Sequence, residues 1–112
     1  MTTVKFVLDS DGNVKSFTVS GHAGYAEKGE DIVCAAISSA VQMLEMQIAQ
    51  VIGENKASFE EKDVEISYRI PDLSAEEKFA VNNMVNGFMG YMQSVSKHYK
   101  DYLTFKMEVK KC

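Results

Sequence analysis

The sequence predicts an α+β domain in which two long helices pack on a mostly antiparallel sheet, in the order β-β-α-β-β-α-β. Three observations carry that reading. Several short stretches alternate apolar and polar residues with a period of two, the mark of half-buried strands. Two longer stretches repeat apolar residues at three- and four-residue spacing, the mark of helices with a buried face. The first two strand-like stretches are joined by a turn and not by a helix, so they pair antiparallel. The 112 residues make one ordinary domain, 1–112, with no repeat, low-complexity tract or linker.

The first strand runs from Thr3 to Leu8, with Val4, Phe6 and Leu8 alternating against Thr3, Lys5 and Val7. Asp9-Ser-Asp-Gly-Asn13 supplies turn chemistry, with Gly12 at a position that favours positive φ. Val14 to Ser20 completes the hairpin, Phe17 and Val19 on one face. From Gly21 to Glu30 neither period holds and glycines recur, which predicts a loop. Asp31 opens a helical pattern through Val33, Ile37, Ala40, Val41, Leu44, Ile48, Val51 and Ile52, and Gly53 stops it. Ala36, Met43, Met46 and Ala49 make this helix apolar around much of its circumference, so it lies deep in the fold or at a subunit contact.

After Gly53 a short strand is expected around Ala57 to Phe59, followed by a charged turn from Glu60 to Asp63. Val64, Ile66, Tyr68 and Ile70 then alternate with Glu65, Ser67 and Arg69 until Pro71 ends the strand. Ser74-Ala-Glu-Glu77 reads as a capping box, in which serine and glutamate satisfy each other's free backbone donors. The helix it starts carries Val81, Met84, Val85, Phe88, Met92, Val95 and Tyr99 on one stripe. A last strand, Tyr102 to Val109, alternates Leu103, Phe105, Met107 and Val109 with Thr104, Lys106 and Glu108.

Composition narrows the function. Hydrophobic residues make up 46% and charged residues 25%, enough for a real core. The net charge of −4, from 16 acids against 12 Lys and Arg, argues against direct nucleic-acid binding, which needs a basic face. The one basic cluster, Lys106, Lys110 and Lys111, is interleaved with Glu108 and reads as a solvated strand and tail. The start, Met1-Thr-Thr-Val-Lys-Phe, lacks the basic segment and apolar run of an export signal. No stretch approaches the ~18 uninterrupted apolar residues of a membrane helix. The expected setting is therefore a reducing cytoplasm with no membrane partner, where two cysteines are free thiols. Cys112, at the end of the sequence, is a poor structural staple.

Cys34 is different. His22 stands where a strand ends, Cys34 stands twelve residues later in the first turn of a helix, and a glycine-bearing loop joins them. A thiol attacks a carbonyl only as thiolate. A helix N-terminus favours an anion through its dipole and unpaired N–H groups, and with Asp31 as N-cap, Cys34 falls at N3. A nearby histidine adds a proton acceptor or a compensating cation. The same helix start offers donors for the oxyanion of acyl transfer. Against this stands the ordinary role of a cysteine in an apolar helix, a small buried hydrophobe. Asp31 reads first as a helix cap and second as a group orienting His22. Ser38, one turn beyond Cys34 on the same face, bonds either into the site or back to the helix. His98, beside Lys97 and Lys100 near a helix C-terminus, suits the macrodipole and needs no catalytic role. The seven methionines suit core or dimer packing. Two cysteines and two histidines without C-x-x-C or a histidine pair do not make a zinc site, so no metal and no cofactor is expected.

The segment Gly21-His-Ala-Gly-Tyr-Ala-Glu-Lys-Gly-Glu-Asp-Ile-Val-Cys-Ala-Ala-Ile-Ser38 resembles the signature of the ribosomal-processing cysteine protease family, Prp, also called YsxB-like. The pattern is Gly-His, a glycine loop, then Asp-x-x-Cys-Ala-Ala, and the resemblance extends over the chain in length and element order. It implies a cysteine endopeptidase that removes a short N-terminal extension from a large-subunit ribosomal protein, L twenty-seven. His22 and Cys34 fall on the family's catalytic dyad, base and nucleophile, with Asp31 and Ser38 on motif positions in supporting roles. It further implies a homodimer, a ribosomal-protein substrate as partner, and a loop between the dyad members that moves on substrate binding. Gly21, Ala23, Gly24, Tyr25 and Gly29 are then expected to contact substrate or act as hinges. A non-catalytic ribosome-associated assembly or binding factor is the main rival reading, and a small-amide deamidase is another.

Overall fold

In the computed structural model the described residues are 1–21 and 30–110, the side chains of Glu30 and Asp31 excepted. The hairpin forms as its alternation requires: β1 (Thr2–Leu8) pairs antiparallel with β2 (Val14–Ser20). Gly12 holds the positive φ, +86°, that the turn needs, and the Asp9 carboxylate accepts from the N–H groups of Asp11 and Asn13. Helix α1 (Glu30–Ile52) follows, then a four-residue helix α2 (Glu54–Ala57), β3 (Glu60–Lys62), β4 (Glu65–Arg69), α3 (Ala75–His98) and β5 (Leu103–Val109). The strands form a five-stranded sheet in the order β3-β4-β2-β1-β5. All neighbours are antiparallel except β1 and β5. Since β4 and β5 both run with β1, α3 is the crossover that a parallel return demands.

One expected element moves. Ala57 ends helix α2 instead of opening a strand, and the strand is the charged stretch Glu60–Lys62, expected to be a turn. The turn is displaced to Asp63, whose φ is +56°, a conformation an aspartate tolerates. All three residues of β3 are exposed, so an edge strand held by backbone bonds to β4 leaves no apolar alternation to read.

The core lies between the sheet and the stripes of α1 and α3. Val33, Ile37, Val41, Leu44 and Ile48 from α1, and Val81, Val85, Phe88, Met92 and Val95 from α3, are buried against Val4, Phe6, Phe17 and Val19. Phe17 anchors it, its ring centroid 5.1 Å from that of Phe88 and 5.4 Å from that of Phe59. The far end of β5 outruns this cover: Met107 and Val109, expected inside, are exposed. Although no uninterrupted apolar run reaches membrane length, Ile32–Ile52 has the length and mean hydropathy, 1.5, of a helix able to span one. Its buried stripe faces the sheet, while Ile32, Met43 and Met46 remain exposed on its other sides.

Candidate active site

Helix α1 sets the position of Cys34. Running from Glu30, it makes Cys34 its fifth residue and Asp31 its second, not its cap. The amide of Cys34 therefore belongs to the helical ladder, and the unpaired N–H groups are those of the turn before it. Cys34 stands at the edge of the dipole's reach instead of inside the first turn.

The thiol is half-buried and free, in the wall of a cavity of about 220 Å³. One side of the cavity is a face of α1, formed by Cys34, Ile37, Ser38 and Val41, whose spacing of three and four residues brings them together. The sheet supplies the rest: Thr2 of β1, Val19 of β2 and Ile66 of β4. Ser38 thus shares the face of Cys34, as its spacing predicts, and is exposed at the rim. The lining is apolar apart from Thr2, Cys34 and Ser38.

Two further contacts frame this corner. The Thr2 hydroxyl lies 3.9 Å from Cys34 Sγ, with either able to donate. Gly21, at the end of β2, donates its N–H to the Val64 carbonyl at 3.2 Å. It holds a φ of +83°, and a Cβ there would stand 2.9 Å from the Met1 carbonyl oxygen. Only glycine suits both demands. The chain is thus delivered beside the start of β1 one residue before His22. His22 itself, with Ala23, Gly24, Tyr25 and Gly29, lies outside the described residues, as does the side chain of Asp31.

Sequence reasoning placed Cys34 and Ser38 on one face but missed Thr2, because the first strand was read from Thr3. The signal was present: Thr2, Val4, Phe6 and Leu8 share a face at period two. His98 is exposed near the end of α3, its Nδ1 2.9 Å from the Ser94 carbonyl oxygen, and does not line the cavity. Among the described residues no three His, Cys, Asp or Glu gather as metal ligands. A larger groove of about 650 Å³ lies between α1 and α3. It holds neither a thiol nor a charged group, so size does not make it the reactive site.

The family model described as cysteine protease Prp matches residues 1–104. The chain belongs to the Prp family of cysteine proteases. Among curated relatives, the ribosomal processing cysteine protease Prp of Bacillus subtilis (strain 168) is 26% identical over 95 residues, spanning 83% of this chain and 85% of the relative. Solved structures share the fold. SMU.848 from Streptococcus mutans superposes with a TM-score of 0.77 at 22% identity, over 98% of this chain and 96% of the other. The Prp protease of S. aureus in complex with a covalently linked product peptide gives 0.74 at 21% identity, over 96% and 100%. The same S. aureus protease with a substrate peptide gives 0.66 at 17% identity, over 98% and 100%. As a Prp-family chain this protein is a cysteine protease of the ribosomal-processing class, on the single α+β domain that those structures share.

Proposed function

We propose that this chain is a cysteine endopeptidase that removes the N-terminal extension of ribosomal protein L twenty-seven, with Cys34 as nucleophile and His22 as general base and acid. The observation that carries the reading is the thiol of Cys34 half-buried in the wall of an apolar cavity. Val19, Ile37, Val41 and Ile66 give that cavity the chemistry to hold a bulky apolar side chain next to the bond to be cut. The placement of Gly21 beside β1, one residue before His22, supports the pairing.

The steps follow from the groups. His22 takes the proton from Cys34 Sγ, and the thiolate adds to the scissile carbonyl carbon. The carbonyl π pair moves to oxygen, where unpaired N–H groups of the first turn of α1 stabilise it. Collapse breaks the C–N bond, His22 gives its proton to the departing amine, and a thioester remains on Cys34. Water, deprotonated by His22, adds to the thioester and releases the acid with regeneration of the thiol. Ser38 at the cavity rim and Asp31 in the first turn support this centre. The chain works in the reducing cytoplasm, which keeps the thiol free, and it requires no cofactor.

The protein further acts as a homodimer through the α1–α3 groove. That groove is lined by apolar and uncharged residues such as Ala40, Met43, Met84 and Tyr91. A two-fold contact brings a patch against itself, so an uncharged apolar patch meets its copy without like-charge repulsion.

Mass spectrometry of the extended ribosomal protein after incubation with the parent, Cys34→Ala and His22→Ala tests the reading. One discrete N-terminal cut by the parent, none by Cys34→Ala, and a loss of more than about a hundredfold for His22→Ala are expected. Cleavage by folded Cys34→Ala overturns the mechanism. No cut by a folded parent overturns the choice of substrate and points to another one, or to the binding-factor reading.

A further inference from the structure

We propose that Thr2 is a positioning residue for Cys34, its hydroxyl holding the sulfur in place and donating to it once the thiol has lost its proton. The inference rests on Cys34 being the nucleophile. Thr2 is 3% exposed and, Tyr68 with its phenol apart, is the one polar or charged residue among the buried described residues. It continues the inward stripe of Val4, Phe6 and Leu8, where a valine would fill the same space and suit a strand as well. A hydroxyl buried there is costly without a partner. Its partner is Cys34 Sγ at 3.9 Å, a long contact suited to the large sulfur atom.

The hydroxyl sits on a fixed support. The Thr2 N–H donates to the Tyr102 carbonyl at 3.0 Å, and β1 is held between β2 and β5. A threonine O–H rotates, so it accepts from the neutral S–H and turns to donate to the thiolate. No charged side chain among the described residues shares this role. The cavity wall has none, and Lys5 and Glu65 alternate to the opposite face of the sheet from Thr2 and Ile66. The described polar groups that line the cavity with the sulfur are therefore Thr2, in contact with it, and Ser38 at the rim.

The test is site-resolved mass spectrometry of Cys34 alkylation by iodoacetamide between pH 5 and 10, for the parent, Thr2→Val and Thr2→Ser. A hydrogen bond to a charged group predicts that Thr2→Val reacts about three- to tenfold more slowly near neutral pH. The difference should shrink as pH rises and vanish at high pH, where every variant is thiolate. Thr2→Ser should restore the parent profile. A pH-independent ratio would make Thr2 a packing residue only, and an unchanged profile in Thr2→Val would likewise overturn the proposal. Because alkylation uses no peptide substrate, these outcomes are distinct from failure of the cleavage assay.

Discussion

Gly21→Ala is expected to destabilise the protein more than any other glycine-to-alanine change at a turn, and to alter the thiol at Cys34 with it. Two effects add. Gly21 has a φ of +83°, where an alanine costs roughly 1–2 kcal/mol. The new Cβ would also stand 2.9 Å from the Met1 carbonyl oxygen, closer than a Cβ approaches backbone oxygen without something shifting. Forcing a methyl into such a packed site costs about 1–3 kcal/mol more. The oxygen has little freedom to retreat. It shares a peptide plane with the Thr2 N–H, which donates to Tyr102 at 3.0 Å, and Thr2 carries the hydroxyl facing Cys34. Gly12 is the control: its φ is +86°, but nothing lies within 4 Å of a Cβ there. Gly12→Ala should lose only the first part, roughly 1–2 kcal/mol, against roughly 2–5 kcal/mol for Gly21→Ala. Urea denaturation followed by circular dichroism measures both, with intact mass confirming that Met1 is retained. Equal losses for the two variants would refute the contact. Unchanged alkylation of Cys34 in Gly21→Ala would refute its coupling to the site.

The remaining predictions concern the sheet and the helical face. Burial pushes the Tyr68 phenol from 10.0 up to about 12, and its O–H donates to the Lys56 carbonyl at 2.8 Å. A group whose folded value is raised contributes stability that is full below its unfolded value and is lost as pH climbs through the folded one. Stability should therefore fall between pH 10 and 12 by an amount missing in Tyr68→Phe. That variant should lose about 1 kcal/mol at neutral pH with the hydrogen bond, and urea midpoints across this range that fall equally in both proteins would contradict the reading. For the groove, sedimentation of the parent should give a dimer, and Met43→Glu, on an exposed position of that face, a monomer that keeps the parent's circular dichroism spectrum. A parent that sediments as a monomer at high micromolar concentration would remove the groove from the account.

What could be read from the sequence divides along a physical line. Local patterns with a period or a fixed spacing were legible. The Ser74 capping box forms as written, Glu77 N–H donating to Ser74 Oγ and Ser74 N–H to Glu77 Oε1. The stripes of α1 and α3 bury as their spacing requires. Cys34 and Ser38 line one cavity because four residues make about one helical turn. Patterns without a side-chain signature were not legible. The edge strand Glu60–Lys62 pairs through its backbone while every side chain faces water, so its composition read as a turn. Nothing local to β5 says that it lies parallel to β1; that follows from α3 crossing the sheet.

The corner around Cys34 belongs to both classes. The two residues proposed to do the chemistry, His22 and Cys34, lie within one short segment of sequence. The groups that surround the thiol do not. Thr2 reaches Cys34 across 32 positions, and the Gly21 backbone closes on Met1 across the hairpin. Those contacts exist only once β1 is seated between β2 and β5 and α1 lies over its start. A nucleophile can thus be nominated from a short motif, but the atoms that hold its sulfur are chosen by the sheet. In this chain the sheet places there Thr2, the one buried described residue besides Tyr68 with a polar side-chain group.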